Sequence, residues 1–416
     1  MPFFRFLHAA DLHLDSPLIG LSRKSAEYAA RIDDASRRAF DNLIDLAIAE
    51  ECRFVVIAGD VFDGQWRNYQ TGLFFAERMR RLSQAGIPVI MILGNHDAEN
   101  RFASRLELAD NVHVLSRSQA SSFHLEELET VIHGRSFPER SVTENLALTY
   151  PTPVEGRFNI GLLHTACSGV ADGHAPYAPC TIEQLAKHRY DYWALGHVHA
   201  TKILSTEPYI VYPGNLQGRH ARESGPKGAV VVTVDGGKVL GAEHRPLDVI
   251  RWSVEELDVS AAEGLPALRG LARDRLERAF SIADGRGLAL RLCLTGETAL
   301  HSELVANRAA LREEIETIAT HVSPELWVEK LEVRTRPPQR PHNTDPTIAG
   351  TIRATIEELA GSPELSSWLE EQISAIKAKM PSTAHMDDLF TTLRAEAPKR
   401  AVDLALSMVD QGQELR

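Results

Sequence analysis

The chain has 416 residues, of which 44% are hydrophobic and 25% are charged, and this length predicts two or three globular domains. Its four cysteines form no C-x-x-C pair and no apolar run approaches the length of a transmembrane helix, which argues against a disulfide-built secreted scaffold and against a membrane protein. We therefore expect a cytoplasmic protein, and its net charge of −12 does not favour tight binding of long DNA by the chain alone.

The first hundred residues alternate strands with helices. Apolar runs predict strands at residues 4–10, 54–57 and 87–93. Apolar residues at helical spacing predict helices over residues 34–51 and 68–85. This alternation is typical of an α/β fold with parallel strands.

Further strands are predicted beyond residue 110. Strong apolar runs lie at residues 158–163, 190–195 and 210–212, and weaker ones at 112–115 and 131–133. The run 228–234 is followed by Asp235-Gly236-Gly237, a turn signal that predicts a hairpin with residues 238–243.

Five of these strands end in side chains that can bind metal. The carboxyl ends of strands are where ligands collect in open α/β sheets. Asp11 and His13 are two residues apart, as are His197 and His199, and in an extended chain this spacing points both side chains to one face. The full set is Asp11, His13, Asp60, Asn95, His96, His164, His197 and His199.

Carboxylate, amide oxygen and imidazole groups without a thiolate suit a pair of divalent metal ions. A single Asp or His after a strand is as often a turn former or a satisfied surface group. That alternative weakens when five such ends occur in one chain in this order.

In this order, Asp-x-His, Gly-Asp-x-x-Asp, Gly-Asn-His-Asp, a lone His and Gly-His-x-His resemble the motifs of calcineurin-like metallophosphoesterases. Longer segments are similar to the bacterial YhaO-type DNA repair exonucleases, which are relatives of the SbcD nuclease. These segments are residues 10–18, 177–180, 191–199 and 212–220. The resemblance covers roughly the first 245 residues and implies an α/β domain built as a layered α/β/β/α sandwich.

The resemblance also implies which side chains hold each metal. One ion is expected on Asp11, His13 and His199, the other on Asn95, His164 and His197, with Asp60 bridging both. Manganese is the favoured metal, with iron or zinc as alternatives. The two ions would activate a hydroxide that attacks phosphorus.

His96 follows the ligand Asn95 and is the motif imidazole that is left without a metal. We expect it to act as the general acid or transition-state donor for the leaving oxygen. Asp97 is expected to orient His96 and to fix its tautomer. Asp63 is expected either to support the site or to form a turn.

Arginines that could contact substrate lie after Gly218. Arg219 and Arg222 could hold a DNA phosphate, and a solvated surface loop is the equal alternative. His174 is a weaker candidate for a substrate contact.

The resemblance and a composition shift near residue 247 predict three regions. Residues 1–246 form the metallophosphoesterase domain, and a β-α-β-α-β series over 247–336 forms a small α+β cap domain. SbcD-like nucleases use such a cap to limit which DNA enters. Residues 337–416 form a proline-rich linker and a helical C-terminal tail, whose apolar stripe includes Leu369, Ile373, Ile376 and Met380. The tail either packs on itself or docks on a partner.

These features together predict a metal-dependent DNA nuclease, an exonuclease or endonuclease that acts in DNA repair. The expected partners are DNA and an SbcC-like (YhaN-type) coiled-coil ATPase, and SbcD-like proteins are often homodimers. Two alternatives stay open. One is a phosphodiesterase or phosphatase for nucleotides or small phosphoesters, which the acidic charge favours. The other is a non-catalytic subunit of an ATPase complex that binds DNA ends.

Overall fold

A computed structural model of the protein describes residues 1–21, 32–63, 69–98, 108–167, 177–338 and 348–378, with short helical pieces between residues 390 and 405. Contacts divide the chain into two compact units, Met1–Ser253 with Ala283–Ala289, and Val254–Ile282 with Leu290–Arg416. The division into three regions at residues 246 and 336 stays a prediction. Within the described ranges, no helix has both the length and the hydropathy needed to cross a membrane.

The strands and helices are numbered here in chain order. The strands are β1 (Phe4–Ala9), β2 (Phe54–Ala58), β3 (Val89–Ile92), β4 (Val112–Val114), β5 (Ser121–Leu125), β6 (Thr130–Gly134), β7 (Phe158–His164), β8 (Tyr192–Gly196), β9 (Lys202–Thr206), β10 (Tyr209–Tyr212), β11 (Gly228–Asp235), β12 (Lys238–Pro246), β13 (Ile250–Asp258), β14 (Gly287–Thr295) and β15 (Leu326–Val333). The helices are α1 (Ala35–Ala49), α2 (Gln70–Gln84), α3 (Asn95–Ala98), α4 (Ile182–Lys187), α5 (Leu265–Ile282), α6 (His301–Ala306), α7 (Arg308–Val322), α8 (Ile348–Ala360) and α9 (Pro363–Ala378).

Two six-stranded sheets form the first unit. One has the order β12-β11-β1-β2-β3-β4, and the strands from β1 to β4 pair in parallel. The other has the order β5-β6-β7-β8-β10-β9, with parallel pairing from β6 to β10. The predicted hairpin is confirmed, since β11 and β12 pair from Asp235 to Lys238 across Gly236 and Gly237, whose φ angles are 55° and 78°.

The two sheets pack face to face through aromatic side chains. Phe6 and Phe54 stack with ring centroids 4.9 Å apart, and Tyr192 of the other sheet meets Phe6 edge-on at 5.3 Å. A fully buried side chain of this size stabilises the fold by roughly 2–3 kcal/mol relative to an exposed one. The pairing fixes the distance between the sheets, and therefore between the loops at their ends.

Helices and loops cover the outer faces of both sheets. Phe40 of α1 and Phe75 of α2 are buried against the first sheet. Leu185 of α4 is buried with Trp193 on the outer side of the second sheet. This arrangement confirms the layered α/β/β/α sandwich.

Strands β5 and β9 have no counterpart in the sequence prediction. Both are short edge strands that pair antiparallel with their neighbours. Their residues are half-buried or exposed, so their sequences lack the apolar run that marks a central strand.

The second unit follows the predicted β-α-β-α-β order, except that two helices, α6 and α7, lie between β14 and β15. These strands form a three-stranded sheet in the order β13-β14-β15. Helix α7 packs on β15 and α5, with Ile315 fully buried. In the tail, Ile373 is buried whereas Ile376 is exposed, and Met380 lies outside the described residues, as do linker residues 339–341.

Candidate metal centre

The predicted ligands meet where the ends of the two sheets come together. Strands β1, β2 and β3 of the first sheet and strands β7 and β8 of the second each run into a predicted ligand residue. The side chains brought together are Asp11, His13, Asp60, Asn95, His164, His197 and His199, and all seven are buried. Neither sheet alone contains the site.

Four of these residues adopt a backbone conformation that L residues rarely use. The φ angles are 52° at Asp11, 42° at His13, 52° at Asp60 and 101° at His197. Backbone hydrogen bonds hold the first two, from Asp11 N to Gly59 O at 3.0 Å and from His13 N to Asp60 O at 3.1 Å. Strained backbone clustered in this way is typical of a functional site.

A close approach of two loops requires glycine at residue 94. A Cβ atom on Gly94 would overlap the Oδ1 atom and the backbone nitrogen of Asp60. The loops that follow β2 and β3 can therefore touch only because residue 94 has no side chain.

The first cluster contains Asp11, His13 and His199, whose potential ligand atoms all lie within 4.8 Å of one another. His13 Nε2 lies 3.2 Å from His199 Nε2. His199 Nδ1 lies 2.7 Å from Glu223 Oε1, so Nδ1 carries the hydrogen and the Nε2 lone pair points at His13. His13 Nδ1 is buried without a hydrogen-bond partner.

The second cluster contains Asp11, Asp60 and His164. His164 Nδ1 donates to the carbonyl oxygen of Ala58 at 2.9 Å, which leaves Nε2 as the ligand atom. That atom lies 3.0 Å from Asn95 Oδ1, and the ring of His197 packs edge-on against His164 at 5.2 Å. Facing acceptor atoms of this kind fit a cation placed between them.

The electrostatics of the centre also favour a cation. Burial raises the pKa of Asp11 to about 7, and the nearby charge of Asp60 adds to the rise. Burial alone would lower the pKa of His164, but the charge of Asp60 and the hydrogen bond to it raise that pKa to about 9. The two buried carboxylates thus favour a positive charge at His164, and a metal ion bound at Nε2 would supply that charge in place of a proton.

His96 forms a third group with His13 and Asp60, whose potential ligand atoms also lie within 4.8 Å of one another, and its imidazole is held by Asp63. The Nδ1 atom of His96 is 2.9 Å from Asp63 Oδ1, and Ser16 Oγ donates to Asp63 Oδ2 at 2.8 Å. Burial alone would lower the pKa of His96, but the hydrogen bond to Asp63 and the charge of Asp60 raise this pKa above its ordinary value. His96 therefore has the properties of a proton donor.

We expected Asp97 to orient His96, but the structure shows that the carboxylate of Asp97 binds backbone amides and that another carboxylate holds His96. Asp97 is fully buried and accepts hydrogen bonds from the backbone nitrogens of Val61, Phe62 and Gly94 at 2.9–3.2 Å. Its carboxylate therefore ties together the loops after β2 and β3. The carboxylate that holds His96 is that of Asp63, because the side chains of adjacent residues 96 and 97 point in different directions.

A cleft of about 390 Å³ opens beside the centre. It is lined by Asp60, Asn95, His96, His197, His199, Ala200, Arg219, His220, Arg222, Glu223 and Lys227. Arg222 is exposed in this cleft, whereas Arg219 is largely buried and pairs with Glu223 at 3.2 Å. The weaker candidate His174 lies outside the described residues.

Sequence reasoning missed Glu223 altogether. It lies 24 residues after His199, and no motif spacing connects the two. The one available signal is a single acidic residue in the otherwise basic loop of residues 219–223.

Comparisons with known proteins agree with this geometry. Residues 4–201 match the calcineurin-like phosphoesterase family, and residues 252–336 match the middle domain of metallophosphoesterase YhaO. The chain is 36% identical to the "uncharacterized metallophosphoesterase YhaO" of Bacillus subtilis (strain 168), over 83% of this chain and 85% of the relative. The resemblance stated from the motifs is thereby confirmed.

Two more distant relatives carry nuclease or repair names. The chain is 27% identical to the DNA double-strand break repair protein Mre11 of Sulfurisphaera tokodaii, over 56% of this chain and 60% of the relative. It is 23% identical to a subunit of the nuclease SbcCD of Staphylococcus saprophyticus, over 61% of this chain and 73% of the relative.

Proposed function

Because the chain belongs to the metallophosphoesterase family of YhaO, we propose that it is a metal-dependent DNA nuclease that hydrolyses phosphodiester bonds in DNA repair. The observation that carries this proposal is one cleft that is lined by the held imidazole of His96, by the exposed arginine Arg222 and by four candidate metal ligands, Asp60, Asn95, His197 and His199. The names of the more distant relatives support DNA as the substrate. Exonuclease and endonuclease cleavage both fit this proposal.

Members of this family use two divalent metal ions, and the donor set here fits them. The side chains that would hold them are Asp11, His13 and His199 for one ion, Asn95, His164 and His197 for the other, and Asp60 for both. When bound, the ions supply positive charge beside the phosphate and lower the pKa of water at the site toward neutrality. We propose manganese, which oxygen and nitrogen ligands suit; iron and zinc share this donor set.

The protein's own side chains would position and protonate the substrate. Asp63 holds Nδ1 of His96, so Nε2 is the ring atom left to donate a proton to the leaving sugar oxygen. Arg222 lines the cleft and would contact a phosphate next to the scissile one. Arg219, paired with Glu223, would hold the cleft wall rather than reach for DNA.

The test uses the purified protein with manganese and end-labelled single- and double-stranded DNA. Wild-type protein should cleave DNA, and Asp60→Asn and His96→Ala should each abolish or strongly reduce cleavage. His124→Ala is the matched control, because His124 is a half-exposed imidazole on edge strand β5. Cleavage that persists in Asp60→Asn would contradict the proposed site.

The net charge of −12 favours a second candidate, a phosphodiesterase for small phosphoesters. The same preparation should therefore be assayed with bis-p-nitrophenyl phosphate. Hydrolysis of this ester without DNA cleavage, even when an SbcC-like ATPase is added, would favour the small-substrate enzyme. No hydrolysis of either substrate by metal-loaded protein would favour a non-catalytic subunit.

We further propose that the C-terminal helices dock on an SbcC-like coiled-coil ATPase. Four large apolar side chains among the described residues of α8 and α9 are more than 40% exposed, namely Ile352, Leu359, Trp368 and Ile376. A relative named as part of the nuclease SbcCD supports this partner. Co-purification with the ATPase should be lost in a Leu359→Asp, Trp368→Asp variant that retains phosphodiesterase activity.

A further inference from the structure

The imidazoles of His164 and His199, which are assigned to different metal ions, are fixed in different ways. The Nδ1 atom of His164 donates to a backbone carbonyl, that of Ala58. The Nδ1 atom of His199 lies against a side chain, the carboxylate of Glu223. Substitution cannot remove the first contact and can remove the second.

Glu223 is built into the protein by several contacts. Its Oε1 atom lies 2.7 Å from His199 Nδ1, and its Oε2 atom accepts from the Asn215 side chain at 2.9 Å and from the backbone nitrogen of Arg219 at 2.7 Å. The Arg219 guanidinium lies 3.2 Å from Oε1. The residue is 8% exposed, so these contacts hold the carboxylate in one position.

His199 is also held through its backbone. The ammonium group of Lys227 donates to the carbonyl oxygen of His199 at 2.7 Å. With the backbone and Nδ1 both held, the Nε2 atom points into the cluster with Asp11 and His13. A carboxylate that accepts from Nδ1 also makes the imidazole a stronger metal ligand.

We propose that Glu223 is a positioning residue for metal binding. It fixes His199 as the Nδ1–H tautomer and thereby raises the affinity of the ion held by Asp11, His13 and His199. It has no such effect on the ion held by Asn95, His164 and His197. This inference rests on the two-metal assignment made above and names a residue that acts on one of its two ions.

Titration calorimetry of the metal-free protein with manganese tests this assignment without an activity assay. Wild-type protein should bind two ions. In Glu223→Gln one of them should bind about 10-fold more weakly, because an amide can either donate to or accept from Nδ1 and no longer fixes the tautomer. In Glu223→Ala the loss on that ion should reach about 10- to 100-fold, with the other ion unchanged within about threefold.

Glu50→Gln is the matched control. Glu50 is also a part-buried carboxylate that accepts from two arginines, Arg5 and Arg245, but it belongs to none of the metal clusters. It should bind both ions as wild-type protein does. Urea unfolding of each variant identifies a folding defect. If Glu223→Ala does not fold, the manganese affinities of Glu223→Gln test the inference.

Three results would overturn the inference: wild-type affinity for both ions in the Glu223 variants, equal weakening of both ions, or a wild-type protein that binds a single ion. Failure of the proposed nuclease function is a separate result. It would appear as two-ion binding with the expected Glu223 effect but without DNA cleavage by the wild-type protein.

Discussion

The imidazole of His8 lies fully buried between the two sheets, with its Nδ1 atom 3.0 Å from the hydroxyl of Tyr192. Its Nε2 atom lies 3.1 Å from the carbonyl oxygen of Leu195, and only a protonated nitrogen can donate there. His8 is therefore the neutral Nε2–H tautomer and accepts from Tyr192. Burial lowers its pKa from 6.5 to about 3, although the hydrogen bond to Leu195 opposes the change.

This burial predicts acid sensitivity of the fold. Below pH 6.5 the unfolded chain binds a proton at His8 that the folded protein does not bind. The free energy of unfolding therefore decreases as the pH falls from 6.5 toward 3. At pH 5 the loss is about 2 kcal/mol. The free energy of unfolding in urea should be measured at pH 7 and pH 5 for wild-type protein and for His8→Gln, which can keep both hydrogen bonds. The decrease from pH 7 to pH 5 should be larger by this amount in the wild-type protein. Parallel pH profiles would contradict the assignment.

The His96–Asp63 pair predicts a dependence on the leaving group. His96→Ala should slow DNA cleavage by about 10²–10⁴-fold, because a sugar oxygen needs a proton as it leaves. The same variant should hydrolyse bis-p-nitrophenyl phosphate with a much smaller loss, since p-nitrophenolate leaves without one. Asp63→Asn should show the same pattern with a smaller effect. An equal loss on both substrates would mean that His96 does not act as the acid.

The three backbone contacts of Asp97 predict a stability defect. Asp97→Ala would leave the buried amide groups of Val61, Phe62 and Gly94 without their acceptor, at a cost of about 3 kcal/mol or more. Urea unfolding should show this loss, whereas His96→Ala should keep wild-type stability. A stable Asp97→Ala protein that lacks activity would instead support the role expected from the sequence, in which Asp97 orients His96.

Gly94 predicts a local defect in metal binding. The methyl group of Gly94→Ala would overlap the Oδ1 atom of Asp60 and push the loops after β2 and β3 apart. Manganese binding should therefore weaken strongly. Gly241→Ala on β12 is the matched control, since a Cβ atom there meets nothing within 4 Å. Calorimetric titration of both variants should show weakened binding in Gly94→Ala alone. Wild-type affinity in Gly94→Ala would show that the loops can move apart without loss of the site.

The central strands and the positions of the candidate ligands that follow them could be predicted because both depend on local signals. A strand buried on both faces requires a continuous apolar run, as in β2, and its end is marked by the first polar residue. Asp60, which follows β2, is recognisable for this reason. The edge strands β5 and β9 lack the signal, because half of their side chains face solvent.

The supporting contacts of the site could not be predicted, because they depend on side-chain direction and on long-range folding. Asp97 neighbours His96 in sequence but points to backbone amides, whereas Asp63 reaches His96 from 33 residues away. Glu223 reaches His199 because β8 and β10 are parallel neighbours in the sheet, so the loops that follow them meet at the same edge. Sequence spacing contains neither fact.

The positive φ angles at Asp11, His13, Asp60 and His197 lower the stability of the fold at the positions where the candidate metal ligands lie. Glycine adopts these φ angles without the steric cost that a Cβ atom imposes, which is roughly 1–2 kcal/mol per residue. Glycine there would also remove buried ionisable groups, of which the carboxylates of Asp11 and Asp60 repel one another. Selection for stability alone would therefore replace these four residues first. Their presence at strained positions is what we expect of a chain selected for a metal-dependent activity.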